Sequence, residues 1–377
     1  MQYLQKEIAE DADDFTPAAS VIVPCRGIDQ ELKENVTALF AQDYPAFEVI
    51  FVSDRADDPA FAIVREAKTS FADTSGPIMR FVEAGPATDT SQKVHNLRIA
   101  VGKVDRRSEV LVFIDTDARP QPFWLRALVT PLRDDTLAAS TGYRWFVPVR
   151  GGLASHLRAV WNAAIASALG ANRTKNFCWG GSTAIRREMF ERLNIGDRWR
   201  GTASDDFTVT RALHEAGLGI KFVPQCLTPS FEDCSFRELV EFTTRQLKIT
   251  RIYAAHLWKS VLLGSVIFVL AFFGGIALVI YSAVTGHSFV KPLVVILLMF
   301  TLGAMKSHLR LRAVCKVIRH PKADSFSATL AHGCLWPVAS ALYLYNGLAA
   351  FSRRITWRGV TYELKSPTET VIIRREN

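Results

Sequence analysis

Through the first two-thirds of the chain, short unbroken apolar runs alternate with segments whose apolar residues recur at helical spacing. The runs at 19–25, 47–53, 78–82, 110–114, 136–146 and 220–223 read as strands. Helical periodicity marks 29–42, 57–69, a segment from Lys93, then 123–132, 153–170, a segment after Phe207 to about Ala216, and 237–256. In the first of these, Leu32, Val36, Leu39 and Phe40 fall on one face, and Tyr44-Pro45 closes the helix. A strand that is apolar at every position is covered on both faces, and such strands alternating with helices predict an α/β fold with a doubly wound, mostly parallel sheet. The stretch Phe177 to Arg186, with Gly180-Gly181 inside it, reads as a glycine turn, either an ordinary one or one that brings backbone close to a bound substrate.

Beyond Lys259 the pattern changes. No charged residue occurs between Lys259 and Lys291, which exceeds the ~20 apolar residues of a spanning helix. Pro292 to Met305 is a second apolar run, and Gly286-His287 is a natural turn between the two, so 260–305 is expected to form a membrane hairpin. Lys306, Arg310, Arg312, Lys316, Arg319 and Lys322 then mark 306–322 as a basic interfacial segment on the cytosolic side. Ser325 to Ser352 is a third uncharged stretch, interrupted by Trp336-Pro337. As a complete span it would strand Arg353, Arg354 and Arg358 on the opposite side. A broken or re-entrant pair of short helices at 325–352 is therefore expected, with 353–377 as a basic cytosolic tail.

Composition adds three constraints. A length of 377 residues suits about two domains, here a catalytic domain at 19–258 and a membrane region at 259–352. The net charge of +8 lies in the C-terminal part: from Gly303 onward twelve Lys and Arg face four Asp and Glu, and the remainder is neutral. That placement suits anionic headgroups or phosphorylated ligands, and no basic stripe with interleaved aromatics suggests nucleic acid. The six cysteines show no C-x-x-C spacing and read as free thiols of a reducing compartment. The acidic segment 1–18 contains no apolar run, so the catalytic half is expected to begin in the cytosol.

The candidate chemistry is acidic. Val110 to Ile114 runs directly into Asp115-Thr116-Asp117, and Pro120 stops any continuation as a central strand. Carboxyl ends of strands in an open α/β sheet face the ligand crevice. Two carboxylates there can hold a divalent cation and a polar ligand group, since a phosphate-bound Mg²⁺ needs only one or two protein carboxylates. Asp54, at the end of the 47–53 run, should face the same crevice. Ser204-Asp205-Asp206-Phe207 precedes a predicted helix. Asp205 and Asp206 read either as capping residues or as a general base with an acidic neighbour that raises its pKa. Arg245, Gln246, Lys248 and Arg251 lie on the helix before the membrane region, as a solvated face or as ligand contacts. Trp357-Arg358 also reads as an interfacial anchor.

In order and spacing, Asp54, Asp115-Thr116-Asp117 and Ser204-Asp205-Asp206-Phe207 resemble the family 2 glycosyltransferases of GT-A fold. Asp57-Asp58-Pro59-Ala60, Lys93-Val94-His95-Asn96-Leu97 and Trp357-Arg358-Gly359-Val360-Thr361-Tyr362 narrow the resemblance to the membrane-bound, ceramide-glucosyltransferase-like branch. The resemblance implies that Asp54 and Asp115 contact the uridine and ribose of a UDP-sugar, and that Asp117 holds Mn²⁺ or Mg²⁺ against the diphosphate. It implies that Asp206 is the catalytic base, with Asp205 beside it, and that Lys93, Arg26, Arg245 and Lys248 contact the nucleotide. The activity implied is inverting transfer of glucose to a lipid hydroxyl such as ceramide or diacylglycerol, at the cytosolic face of a bacterial-type inner membrane. The chain departs from the family's Q/R-x-x-R-W pattern: Arg245-Gln246-Leu247-Lys248-Ile249 lacks the tryptophan, and Arg251 is a candidate for the displaced guanidinium. That departure weighs against the alternative of a processive polysaccharide synthase, and the full set of aspartates weighs against a non-catalytic membrane scaffold.

Overall fold

A computed structural model describes residues 15–69, 71 and 76–375, together with Tyr3 and Glu7. Most of the acidic segment 1–18 therefore lies outside the described residues. The chain divides into two compact units, one comprising residues 1–146, 166–232 and 354–377, the other 147–165 and 233–353.

The first unit is built on a seven-stranded sheet of order β3-β2-β1-β4-β6-β5-β7. Its strands are β1 (Ala19–Pro24), β2 (Phe47–Ser53), β3 (Ile78–Glu83), β4 (Val110–Ile114), β5 (Leu137–Val147), β6 (Ser182–Arg186) and β7 (Gly219–Phe231). β1 pairs in parallel with β2 and β4, and β2 with β3. β6 runs antiparallel to both β4 and β5. The sheet is mostly parallel and doubly wound, as the apolar runs require.

Alternate residues of each central strand serve opposite faces. On one face Val21, Val49, Phe51, Val112 and Ile114 pack with Leu32, Val36, Leu39 and Phe40 of α1 (Leu32–Phe40), Phe61 of α2 (Pro59–Thr69) and Trp124 of α4 (Trp124–Val129). On the other, Ile22, Ile50, Leu111 and Phe113 meet Val94 and Leu97 of α3 (Gln92–Val101), and Val209 and Leu213 of α8 (Asp205–Glu215). The short helices α6 (Arg187–Arg192) and α7 (Ile195–Arg198) lie between β6 and α8.

Three segments differ from the sequence expectation. Ser182–Arg186 is a strand rather than part of a turn. Its polar residues are satisfied inside: Trp124 Nε1 donates to Ser182 Oγ at 2.8 Å, and Thr183 Oγ1 to the Trp179 carbonyl at 2.7 Å. β7 extends to Phe231 rather than ending at Val223, because Pro224 and Pro229, which usually demote a strand, lie on the last strand of the sheet. The third is the C-terminal segment, where β8 (Arg354–Trp357), β9 (Val360–Ser366) and β10 (Glu369–Arg375) form an antiparallel three-stranded sheet within the first unit.

The second unit is helical. It contains nearly all of α5 (Leu153–Ala166), and α9 (Phe236–Tyr253), α10 (Ala255–Val284), α11 (Val290–Cys315), α12 (Phe326–Cys334) and α13 (Trp336–Ala349). α10 and α11 are long and apolar enough to cross a membrane: thirty residues at ~1.5 Å per residue exceed a ~30 Å hydrocarbon core. α11 continues unbroken past Met305 through Lys306, Arg310 and Arg312. The charges there alternate with Leu and Ala, good helix formers, so they change the solvent preference without ending the helix. Trp161 stacks on Tyr343 with centroids 4.6 Å apart, and Thr243 and Thr244 both donate to Asn346 Oδ1, which ties α5 and α9 to α13.

Phe51 is fully buried at the centre of the sheet, edge-on to Phe40 at 6.0 Å and tilted against Phe81 at the same distance. Phe51→Ala should cost about 3–5 kcal/mol, read as a lowered denaturation midpoint of the detergent-solubilised protein.

Candidate active site

The strand order places a topological switch point between β1 and β4: from β1 the chain winds outward to β2 and β3, then crosses back to β4 on the other side. The crevice beyond the carboxyl ends of such strands is where an open α/β sheet binds ligands. Three loops converge there. Arg26, Gly27 and Asp29 follow β1, Asp54 follows β2, and Asp115-Thr116-Asp117 follows β4. Buried Asp58 joins the first two: its carboxylate caps α2 through Ala60 N at 2.9 Å and accepts from Ser53 Oγ at 2.7 Å and Gly27 N at 3.1 Å. Asp58 thus shapes the loop that carries Arg26, whose Nη1 lies 3.4 Å from Asp54 Oδ2.

At the end of β4 the carboxylates are bridged by two cations. Lys93 Nζ, from the first turn of α3, lies 2.8 Å from Asp115 Oδ1 and 3.6 Å from Asp205 Oδ1. Arg144 Nη2, from β5, lies 2.8 Å from Asp117 Oδ1 and 3.3 Å from Asp115 Oδ2. The Arg144 guanidinium is held over the rings of Phe146 and Trp179, each 5.2 Å away. Thr116, between the two aspartates, donates to Asp29 Oδ2 at 2.5 Å.

The α8 N-terminus completes the group. Ser204, not either aspartate, is its N-cap residue, accepting from Phe207 N. Asp206 Oδ1 accepts from Ser204 Oγ and from Phe207 N at 2.8 Å, while Oδ2 accepts no hydrogen bond among the described residues. Asp205 is buried and turned toward Lys93. Gly180 explains the glycine pair: a Cβ there would collide with Asp205 Oδ2 and lie 3.0 Å from Lys93 Nζ. Gly181 plays a separate part, making room for the Trp179 ring.

These contacts divide the carboxylates electrostatically. Burial works to raise Asp115, but Lys93 and Arg144 outweigh it and hold this group below the ordinary carboxylate range. Asp117 is pushed up to about 7 by burial, with Asp115 and Glu232 adding to the effect against Arg144. Burial and the neighbouring Asp206 raise Asp205 to about 6 against the pull of Lys93. Lys93 stays firmly protonated, because Asp115 and Asp205 overcome its burial.

Of the residues singled out from sequence, Lys93, Asp115, Asp117 and Asp205 form this cluster, with Asp206 adjacent on α8; Arg26 and Asp54 pair with each other on the neighbouring loops. Arg245 and Lys248 lie on α9, in the second unit. Arg251 is committed to the end of α13, donating to the carbonyls of Ala350 at 3.0 Å and Phe351 at 3.1 Å. Arg144, Asp29 and Arg358 were not singled out as site residues. A signal existed for Arg144, a cation inside an otherwise uncharged predicted strand.

Among the described residues no three His, Cys, Asp or Glu side chains come together as a metal cage. The pair Asp115 and Asp117 suits a cation that takes its remaining ligands from a bound diphosphate. In the ligand-free protein Asp117 and Asp205 keep their protons to higher pH than ordinary carboxylates. Their contribution to stability is complete below the ordinary carboxylate range and is lost as pH rises through about 6 for Asp205 and about 7 for Asp117. The thermal midpoint of the ligand-free protein should therefore fall between pH 5 and pH 8. Asp117→Asn should flatten that fall, as measured by thermal unfolding in detergent.

Residues 1–370 match glycosyl transferase family 21. The chain is also similar to a mannosyltransferase from Pyrobaculum calidifontis solved in complex with GDP-Man and Mn²⁺, with 19% identity, a TM-score of 0.51, and 92% of this chain and 91% of that one covered. A weaker likeness is to glucosyl-3-phosphoglycerate synthase from Mycobacterium tuberculosis in complex with Mn²⁺ and UDP-Glc, with 16% identity, a TM-score of 0.41, and 67% and 82% covered. The motifs resemble family 2, the match along nearly the whole chain is to family 21, and the GT-A fold expected from the motifs holds. The chain belongs to glycosyl transferase family 21 and is a nucleotide-sugar-dependent glycosyltransferase.

Proposed function

We propose that the protein transfers a sugar, glucose by its resemblance to the ceramide-glucosyltransferase-like branch, from a UDP-sugar to the hydroxyl of a membrane lipid such as ceramide or diacylglycerol, with inversion at the anomeric carbon. The observation that carries this reading is the cluster at the end of β4, where Asp115, Asp117 and Asp205 are bridged by Lys93 and Arg144 beside Asp206. The two apolar helices α10 and α11 support a site kept at a bilayer, and the basic residues of 306–322 support a cytosolic catalytic unit.

In this reading Asp54 and Asp115 orient the uridine and ribose, with Arg26 held by Asp54. Asp117, with Asp115 beside it, holds Mn²⁺ or Mg²⁺, and the ion when bound neutralises charge on the departing diphosphate. Arg144 and Lys93 supply fixed positive charge at the same place, where a preorganised donor is worth most as the leaving group becomes more negative. The acceptor oxygen attacks the anomeric carbon from the face opposite the diphosphate, and the bond from that carbon to the phosphate oxygen breaks. The hydroxyl proton passes to Asp206 Oδ2, the carboxylate oxygen that no donor occupies among the described residues. Asp205 holds Lys93 and raises the negative potential around the base. Arg245 and Lys248 on α9 are assigned to the nucleotide or the lipid headgroup.

The test is UDP release from a panel of UDP-sugars in detergent–lipid micelles, with and without a lipid extract, and with Mn²⁺, Mg²⁺ or EDTA. Release should require lipid and divalent metal. Asp206→Asn should lower it by about 100-fold or more while UDP binding persists. Lipid-independent release, or full activity in Asp206→Asn, would contradict the assignment.

A further inference from the structure

The three C-terminal strands are fixed to the first unit at several points. Gln92 N donates to the buried Tyr362 hydroxyl at 3.1 Å, and Arg375 donates to Gln92 Oε1 at 3.1 Å and to the Ala87 carbonyl. A Cβ at Gly201 would collide with the Thr368 carbonyl, so the β9–β10 turn also lies close against that loop. Gln92 is the first residue of α3 and precedes Lys93, so this sheet braces the helix turn that carries a site cation.

The turn between β8 and β9 places Arg358 at φ +50° and Gly359 at φ +74°. Two consecutive left-handed residues make the hairpin turn that Asn-Gly normally supplies. An arginine is costly there because of its Cβ, and what the position gains is a guanidinium. Arg358 Nη2 pairs with Asp29 Oδ1, and Nη1 lies 3.4 Å from the Arg26 carbonyl. The other oxygen of Asp29 accepts from Thr116. Arg358 therefore touches the loop after β1 and reaches the loop after β4 through one carboxylate, which spans the switch point. Its charge also acts on the site: Arg358 helps to hold Asp115 ionised, and Asp29, Asp117 and Glu232 keep Arg358 protonated against its burial.

Building on the proposed function, we infer that Arg358 is a donor-binding residue that engages the diphosphate of the nucleotide-sugar from the C-terminal hairpin. A nucleoside diphosphate remains anionic beside a single divalent cation. A guanidinium at the switch point offers it paired N–H donors that a lone ammonium does not. The contact with Asp29 then serves to aim Arg358 across the crevice, and the costly turn keeps its backbone in place.

The test compares a nucleoside diphosphate with its monophosphate. Calorimetric titration of the full-length protein in detergent–lipid micelles with Mn²⁺ would use UDP, GDP and ADP, then the monophosphate of whichever binds best. The variants are Arg358→Asn, which suits the left-handed turn and removes the guanidinium, and Arg358→Lys, which keeps a charge. Arg358→Asn should stay folded and lose about 10-fold or more in diphosphate affinity. Its monophosphate affinity should change less than about 2-fold, and Arg358→Lys should fall between. An unchanged ratio of diphosphate to monophosphate affinity in Arg358→Asn, whether both hold or both fall together, would overturn the assignment and leave a purely structural ion pair. A wild-type protein that binds none of the three diphosphates would overturn the donor-site reading itself, and this inference with it.

Discussion

Carboxylates drawn out of bulk water at the mouth of a sheet are unfavourable unless each finds a counter-charge, and the first unit brings several to one place. Asp54, Asp115 and Asp117 arrive at the ends of parallel strands, and Asp205 and Asp206 at the start of α8. Lys93 and Arg144 compensate the central members. The balance is uneven: Lys93 and Arg144 outweigh burial at Asp115, which stays ionised, whereas burial, with Asp115 and Glu232 adding to it, outweighs Arg144 at Asp117 and drives it up to about 7. A residual preference for positive charge at Asp117 suits a site completed by a divalent ion and its nucleotide. The rest of the unit serves this placement, from the Asp58 brace below Arg26 to the absent side chain at Gly180 that lets Asp205 reach Lys93.

The parallel half of the sheet was legible because strands buried on both faces appear as uninterrupted apolar runs, as in Val110–Ile114 and Phe47–Ser53. Legibility failed where burial was polar or punctuated. Ser182 and Thr183 satisfy their hydroxyls internally and so enter the sheet without an apolar signature, and two prolines disguise β7. The aspartates were found because carboxylates after an apolar run are conspicuous. Arg144 was not, since nothing local shows that a cation within a strand will face acids supplied by β4. The C-terminal strands escaped notice for a related reason: a short charged segment looks like a tail until its non-local partners, Gln92 and Asp29, are known.

The second unit follows a different solvent logic. α10 and α11 expose most of their apolar surface, as helices facing lipid do, and α12 and α13 are short helices joined at Leu335, just before Trp336-Pro337. α9 belongs to this unit through Thr243, Thr244 and Asn346, so the basic residues Arg245, Lys248 and Arg251 share a scaffold with the apolar helices. Arg251 closes the end of α13, a role that its position one turn beyond Lys248 did not disclose.

The central claim is that the carboxylates after β4 form a site for a metal-bound nucleoside diphosphate. The most direct measurement is electron paramagnetic resonance of Mn²⁺ titrated into the solubilised protein, with and without UDP, in wild type and in Asp117→Ala. The account predicts tightly bound Mn²⁺ in the wild type when UDP is present, little without it because Arg144 already pairs with the carboxylates, and loss of the bound signal in Asp117→Ala. Undiminished Mn²⁺ binding in Asp117→Ala, or none in the wild type with UDP, would contradict it.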